Sequence, residues 1–425
     1  MQKKFFAIFF CGIVLTFLAV TISSAKKDGK PRTFLLKIEH LALAKKCWKD
    51  GDPVITQSMN ELIREAEKAL SCGPYTVTAR KHLPPSKDPH DFFVIHSRYW
   101  PNPKSINGLP WIRRSRDKPG NAMDRDRIEP MAKCVYTLAL AYYFTGKNDY
   151  ASHAASLLRT WFIDKTTRMN PNAKFGRVIP GSRKICYPVV RLGMVFRQVY
   201  DAAGILESAS VWSDEDRNAL QQWTREFMQW AETSRHGKNE RKARNNHGTY
   251  YDLDMALQAM YIGDYDKARD MIQCYMIKRI PKQFKPDGSQ PFEMIRINNY
   301  SYHMFNLEAA FDIAQLADHF DNIDMWNFET EKGAGLRRAI EFILPYLIDQ
   351  WQWNYYKFRY FDIPLIPRYR LLRKASIGFN DPLFEIETES FPCLRGRYII
   401  DLTYPEAALN KKMKETLSIT DFHEQ

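Results

Sequence analysis

One pattern recurs along this chain and restricts its fold more than any other feature: a helix rich in small apolar residues, a turn holding glycine and an acidic residue, then another helix. It stands as LALAKKCWKDGD around Gly51, as LALAYYFTGKNDYASHAASLL around Gly146 and as MALQAMYIGDYDKARDMI around Gly263. Glycine just past a helix end takes left-handed backbone without steric cost, and an aspartate beyond it can cap the next helix. Met304, Leu307, Phe311 and Ala314 continue at helical spacing. Ser213 to Asp216 reads as the cap of the amphipathic stretch DEDRNALQQWTREFMQW, and residues 336–344 as a late helix that Pro345 stops or kinks. About five helical hairpins in a row bury their apolar faces only by stacking on one another. That predicts an all-α fold, either an open superhelix or an α/α toroid, an incomplete barrel of hairpins. No linker or low-complexity tract divides the chain, so residues 26–425 read as a single domain.

Residues 1–25 read as a secretory signal, with Lys3 and Lys4 before an apolar run from Phe5 to Val20 and a small-residue cleavage site at Ser23, Ser24 and Ala25. An uncleaved anchor is the alternative, because the run is slightly long. Cleavage predicts an exported protein, periplasmic or secreted, with no membrane attachment. It also removes two lysines from a net charge of +13, leaving +11. Such a surplus points to an anionic partner. For an exported chain an acidic polysaccharide fits better than nucleic acid. Six cysteines remain: Cys47, Cys72, Cys134, Cys186, Cys274 and Cys393. Export permits disulfides, with Cys47 and Cys72 as a weak pair, but most read as small core residues. Neither cysteines nor histidines show metal-ligand spacing, and no metal or cofactor is expected.

Residues 91–117, 169–184 and 235–252 break the helical pattern. The first carries Tyr99, Trp100, Trp111, Arg113 and Arg114. Aromatic rings stack on pyranose faces and guanidinium forks grip carboxylates, so this mixture suits a sugar chain bearing acids. Inward-packed aromatics are the plain alternative. The segment KARNNHGTYYD places Asn245, Asn246 and His247 just before a helix, beside Arg235, Lys238, Arg241, Lys242 and Arg244. A helix cap with a structural histidine would explain it equally well. The segment PDGSQPFEMIRINNYSYHMF holds Glu293, Arg296, Tyr300, Tyr302 and His303. Along an unbroken helix Arg296 and Tyr302 would lie about 240° apart and share no face. They converge only if Asn298 and Asn299 interrupt the helix. Asp252, Asp254 and Glu293 keep a hydrolase with paired carboxylates open as an alternative, and a non-catalytic glycan-binding protein is another.

These motifs, taken in order, give the chain a family likeness. YWPNP at 99–103, GLPWIRR at 108–114, Met-Asn-Pro-Asn at 169–172 with Ile-Pro-Gly at 179–181, Asn-Asn-His-Gly-Thr at 245–249, and Asp-Gly-x-Gln-Pro at 287–291 followed by Glu293, Arg296 and Tyr302 together resemble the alginate lyase superfamily of polysaccharide lyases. The branch is that of families 5 and 38, and the six-residue gap between Arg296 and Tyr302 is closer to family 38. The resemblance implies an α/α toroid and β-elimination on a 1,4-linked polyuronate without metal. It implies Tyr302 as the catalytic tyrosine, with Arg296, His247 and Asn246 as partners. Tyr99, Trp100, Trp111, Arg113, Arg114, Arg177, Asn245, Glu293 and His303 are then expected on the substrate. Three departures stand out: Arg177 where glutamine is common, residues 184–189 without the usual Gly-Arg…Gly-Ile pattern, and His303 where serine is frequent.

Elimination needs these residue types on chemical grounds. Removing the C5 proton of a uronate places charge on a group already bearing a carboxylate, so fixed donors must neutralise that carboxylate. Asparagine and histidine can supply them. A tyrosine titrates near 10 in water, so it serves as a base only where a cation favours its phenolate. Once protonated, it can hand the proton to the departing O4. One tyrosine reaches both groups when H5 and O4 share a ring face, as in β-D-mannuronate and β-D-glucuronate. In α-L-guluronate they do not. Mannuronate-rich alginate or glucuronan is therefore the expected substrate.

Overall fold

A computed structural model describes residues 31–184, 188–355, 364–396 and 399–408. Residues 1–25, read above as a signal, and Cys186 lie outside them. The helices are α1 (Ile38–Lys49), α2 (Pro53–Ala69), α3 (Arg125–Thr145), α4 (Asn148–Leu158), α5 (Val189–Leu206), α6 (Asp214–Thr233), α7 (Arg235–Arg241), α8 (Asn246–Tyr261), α9 (Tyr265–Cys274), α10 (Ile280–Gln283), α11 (Pro291–Met294), α12 (Asn299–Ala317), α13 (Leu336–Ile348), α14 (Leu365–Phe379), α15 (Pro382–Ile386) and α16 (Ile400–Thr403). Among the described residues there are four short strands, β1 (Phe93–Ile95), β2 (Tyr99–Trp100), β3 (Ile112–Arg113) and β4 (Phe175–Val178), with β1 paired to β4 and β2 to β3. The architecture is an all-α toroid.

The recurring turn works as its residues require. Gly51, Gly146 and Gly263 all take positive φ at helix ends, and Asp52 and Asp264 accept hydrogen bonds from Ile55 and Lys267 to cap α2 and α9. After Gly146 the cap position is Lys147, with no side-chain cap. Ser213 and Asp216 form a reciprocal capping box on α6, a device that stabilises a helix by about 1 kcal/mol.

The inner ring is α3, α5, α8, α12 and α14, each packed on the next, with α4, α9 and α13 outside it. α8 and α12 are buried on nearly every side, as helices apolar all round must be. Where α5, α12 and α14 face the axis they are joined by charge rather than hydrocarbon. Arg197 and Lys374 both bond Asp312, and Arg370 meets Glu308 at 2.8 Å. Burial would raise the Glu308 carboxyl, but Arg370, Lys374 and Arg197 outweigh it and hold it down at about 2.

Several expectations are corrected. Of the two roles expected for Pro345, stop or kink, the stop is excluded, because α13 runs on to Ile348. Residues 235–252 are mostly helical rather than loop, since Ser234 caps α7 and Asn245 caps α8, while the basic side chains of α7 point largely to solvent. Cys47 and Cys72 are not bonded to one another; Cys72 lies instead beside Cys134 and Tyr75. Of the five described cysteines Cys134 is buried in the core, Cys47 and Cys72 pack half-buried against it, and Cys393 is exposed. Among the described residues no helix is long and apolar enough to cross a membrane.

Candidate active site

Because the hairpins alternate between inner and outer helices, inner helices run the same way and their N-terminal turns meet at one end. There Val190 and Met194 of α5, Asn246 and His247 of α8, and Ser301, Tyr302 and Phe305 of α12 line a cleft of about 300 Å³ with Arg296 and Arg177. Three helix N-termini aimed at one space favour an anionic group.

The arrangement of Arg296 and Tyr302 follows from a break in the chain. α11 ends at Met294 and α12 begins at Asn299. The intervening turn folds Arg296 back until its guanidinium carbon lies 3.9 Å from the centroid of the Tyr302 ring. The pair that an unbroken helix would separate is thus stacked. A cation over a ring stabilises negative charge on it.

Asn246 and His247 are held from behind by buried carboxylates. Glu293 accepts the Asn246 backbone N–H at 2.6 Å and the side-chain amide at 2.9 and 3.0 Å. Burial raises the Glu293 carboxyl, while the Asn246 donors and Arg296 pull it back. Glu240 accepts from the Val189 and Val190 backbone at 2.8 and 3.0 Å, and His247 Nδ1 lies 3.2 Å from it. A carboxylate only accepts, so this contact assigns the ring proton to Nδ1. Sequence reasoning missed Glu240. Its signal was present, because it is the single acid in the basic run 235–244.

The remaining expected residues divide. Arg177, on β4, reaches the cleft and lies 3.1 Å from His96 Nε2. Burial and the charges of Arg177, Arg113 and Arg98 lower His96 to about 4. His96 stacks against Tyr99 at 4.9 Å, linking Arg177 to the β2–β3 hairpin, where Tyr99 pairs with Arg113 and Trp100 with Ile112. Tyr99, Trp100, Trp111, Arg113 and Arg114 do not line the cleft; they sit on that hairpin beside it, the three aromatics half-buried and both arginines exposed. Gly181 is required there. It has φ +74°, and a Cβ on it would lie 2.8 Å from Pro110 Cα, so the Ile-Pro-Gly turn closes directly on the hairpin.

Three residues expected on the substrate make contacts within the protein. His303 is fully buried, with Nδ1 3.0 Å from the Asn299 carbonyl and Nε2 accepting from the Gln290 N–H at 3.2 Å. Burial lowers it to about 4, so it is a neutral support of the motif. Glu293 is equally buried and acts through Asn246. Asn245 caps α8 by accepting the His247 N–H. The carboxylates of the hydrolase alternative do not meet in the cleft either: Asp252 is bonded to Arg279, and Asp254 is buried against Gly193. Among the described residues no three His, Cys, Asp or Glu side chains cluster as a metal site.

Residues 76–353 match the alginate lyase family. A crystal structure of an alginate lyase from Bacteroides ovatus is 30% identical over 89% of this chain and 100% of that one, with a TM-score of 0.83. The chain belongs to the alginate lyase family. It is a polysaccharide lyase. Two structures of a histidine-to-alanine variant of alginate lyase A1-III, a protein of Sphingomonas species A1, share the lyase's fold at 16% identity. The apo form has a TM-score of 0.53 and the form complexed with a tetrasaccharide 0.52, each covering 82% of this chain and 88% of that one. A comparison with curated proteins finds no match.

Proposed function

We propose that this lyase cleaves 1,4-linked polyuronates, mannuronate-rich alginate or glucuronan, by β-elimination with Tyr302 as both base and acid. The observation that carries the reading is the stack of Arg296 on Tyr302, 3.9 Å from guanidinium to ring, in a cleft where Asn246 and His247 are fixed by carboxylates of their own. In the reaction the substrate carboxylate takes hydrogen bonds from Asn246 and from Nε2–H of His247, which acts as an imidazolium whose Nδ1–H stays on Glu240. Tyr302 removes the C5 proton while the Arg296 cation offsets the charge on its phenolate. The C5–H electrons form the C4=C5 double bond as the C4–O4 bond breaks, and the proton passes from Tyr302 to O4. Donors that are already in place need no reorganisation as the carboxylate gains charge. No step is assigned to a metal ion. The apolar segment 5–20 supports action outside the cytoplasm.

Initial rates on pure polymannuronate, glucuronan and polyguluronate, followed by near-ultraviolet absorbance of the conjugated double bond, test the reading. Rising absorbance on either of the first two, with little on polyguluronate, is expected. New reducing ends without absorbance would overturn elimination. A preference for polyguluronate would overturn the single-tyrosine mechanism, because its H5 and O4 lie on opposite faces.

A further inference from the structure

The segment that leads into Asn246 and His247 also lines, with residues 241–244, a second concavity of about 330 Å³. Six cations line it: Arg241, Lys242 and Arg244 from the end of α7 and the turn after it, and Lys278, Arg279 and Lys282 from the wide helical turn after α9 and from α10. Asp252 is the single carboxylate in its wall. Arg279 neutralises Asp252 and also donates to the carbonyls of Ala243 at 2.9 Å and Arg241 at 2.8 Å. That clamp is tight enough to require Gly248, where a Cβ would come within 2.3 Å of Arg279 Nη1. Arg279 therefore fixes the backbone of the basic turn and contributes no free charge.

The other five cations make no ion pair among the described residues; Arg244 only lies over the Phe292 ring, at 5.9 Å. Like charges held in one concavity repel, by about 1 kcal/mol for a pair 4 Å apart in water, and a polyanion relieves that repulsion at several points together. Lys278 and Lys282, four residues apart and both exposed, stand side by side on their helical stretch. Arg244 is three residues from His247, so the groove reaches to within about 10 Å of the cleft measured along the chain.

We propose that this groove is a second binding site for the carboxylate-bearing polysaccharide, holding a stretch of polymer outside the acid–base cleft. The proposal rests on the polyuronate reading for the identity of its ligand. It makes the enzyme favour long chains over short ones, since an oligosaccharide that fills only the cleft gains nothing from the groove.

The test is the double variant K278E/K282E, with K278A/K282A as a milder second variant. KM on a long polyuronate is expected to rise about tenfold in the first and less in the second, with turnover of a tetrasaccharide unchanged in both. Electrophoresis through a gel containing the same polymer should show wild-type retardation that the variants lose. Polymer KM and retardation equal to wild type would overturn the proposal, as would an equal loss on the tetrasaccharide, which would place the lysines in the cleft's own function. If wild-type enzyme cleaves no polyuronate, the proposed function fails, yet the retardation assay still decides the groove. Polyuronate retardation lost in the variants supports it, and retardation by duplex DNA alone overturns it in favour of a nucleic-acid partner.

Discussion

The cleft and the basic groove share one seven-residue segment, 241–247, yet they handle charge in opposite ways. In the cleft each polar group is anchored: Asn246 by Glu293, His247 by Glu240, Arg296 against the Tyr302 ring. In the groove five cations make no ion pair among the described residues. Anchoring removes freedom, which serves a reaction whose charge develops at one atom. Unpaired, solvated charge attracts a long anion without dictating where each unit sits. The difference predicts that damage to the cleft lowers turnover, whereas damage to the groove changes affinity for polymer.

The largest effect should come from Tyr302→Phe, which deletes the hydroxyl and keeps the ring under Arg296. Turnover is expected to fall by about 10²–10⁴-fold or more, with polymer binding retained. Near wild-type turnover in an absorbance assay would end the role given to Tyr302 and, with it, the contrast between the two regions.

Next is the support behind the cleft. Folded His303 titrates at about 4, below its ordinary 6.5. Between those values the unfolded chain binds the proton that the folded chain refuses, so the contribution is full above about 6.5 and is lost as pH falls toward 4. The loss is roughly 3 kcal/mol at the most. Urea midpoints of wild type and His303→Gln at pH 7 and pH 5 measure it. The wild type should lose more on acidification, while the variant's KM at pH 7 stays near wild type. A large rise in KM would return His303 to the substrate.

Glu240→Gln keeps shape and removes charge behind His247. A hydrogen bond to a charged group contributes about 1.5–3 kcal/mol, so turnover should drop by about 10–100-fold with a smaller change in KM. Loss confined to KM would mean that His247 grips substrate without sharing in the chemistry.

The smallest effect is that of salt. Screening shortens the Debye length from about 10 Å at 0.1 M to about 3 Å at 1 M. KM on polymer should rise by a few-fold over that range in wild type and hardly at all in K278E/K282E, with kcat flat in both. Equal salt slopes in the two proteins would show that the groove contributes no attraction.

Much of this was legible from residues alone, and the boundary is physical. Helix ends at Gly51, Gly146 and Gly263 and the cap at Ser213 depend on a few consecutive residues, so the chain's local chemistry determined them, along with the hairpin repeat that makes a toroid. The ordered motifs located the cleft for the same reason: each is a short segment with a conformation of its own. What lay beyond reach was pairing between segments. Whether Arg296 meets Tyr302 depended on where α12 begins. Glu240 became the partner of His247 only when α7 was laid against the first turn of α5. His303 reads as a ligand-binding residue beside Tyr302, yet one residue along a helix is a rotation of about 100°, enough to turn it from the cleft into the core. Lys278 and Lys282 join Arg241, Lys242 and Arg244 only because Arg279 clamps the turn between them. Local backbone preference acts over a few residues and is written in order along the chain; burial, charge neutralisation and convergence of side chains arise between segments far apart in sequence, and those the tertiary structure alone decided.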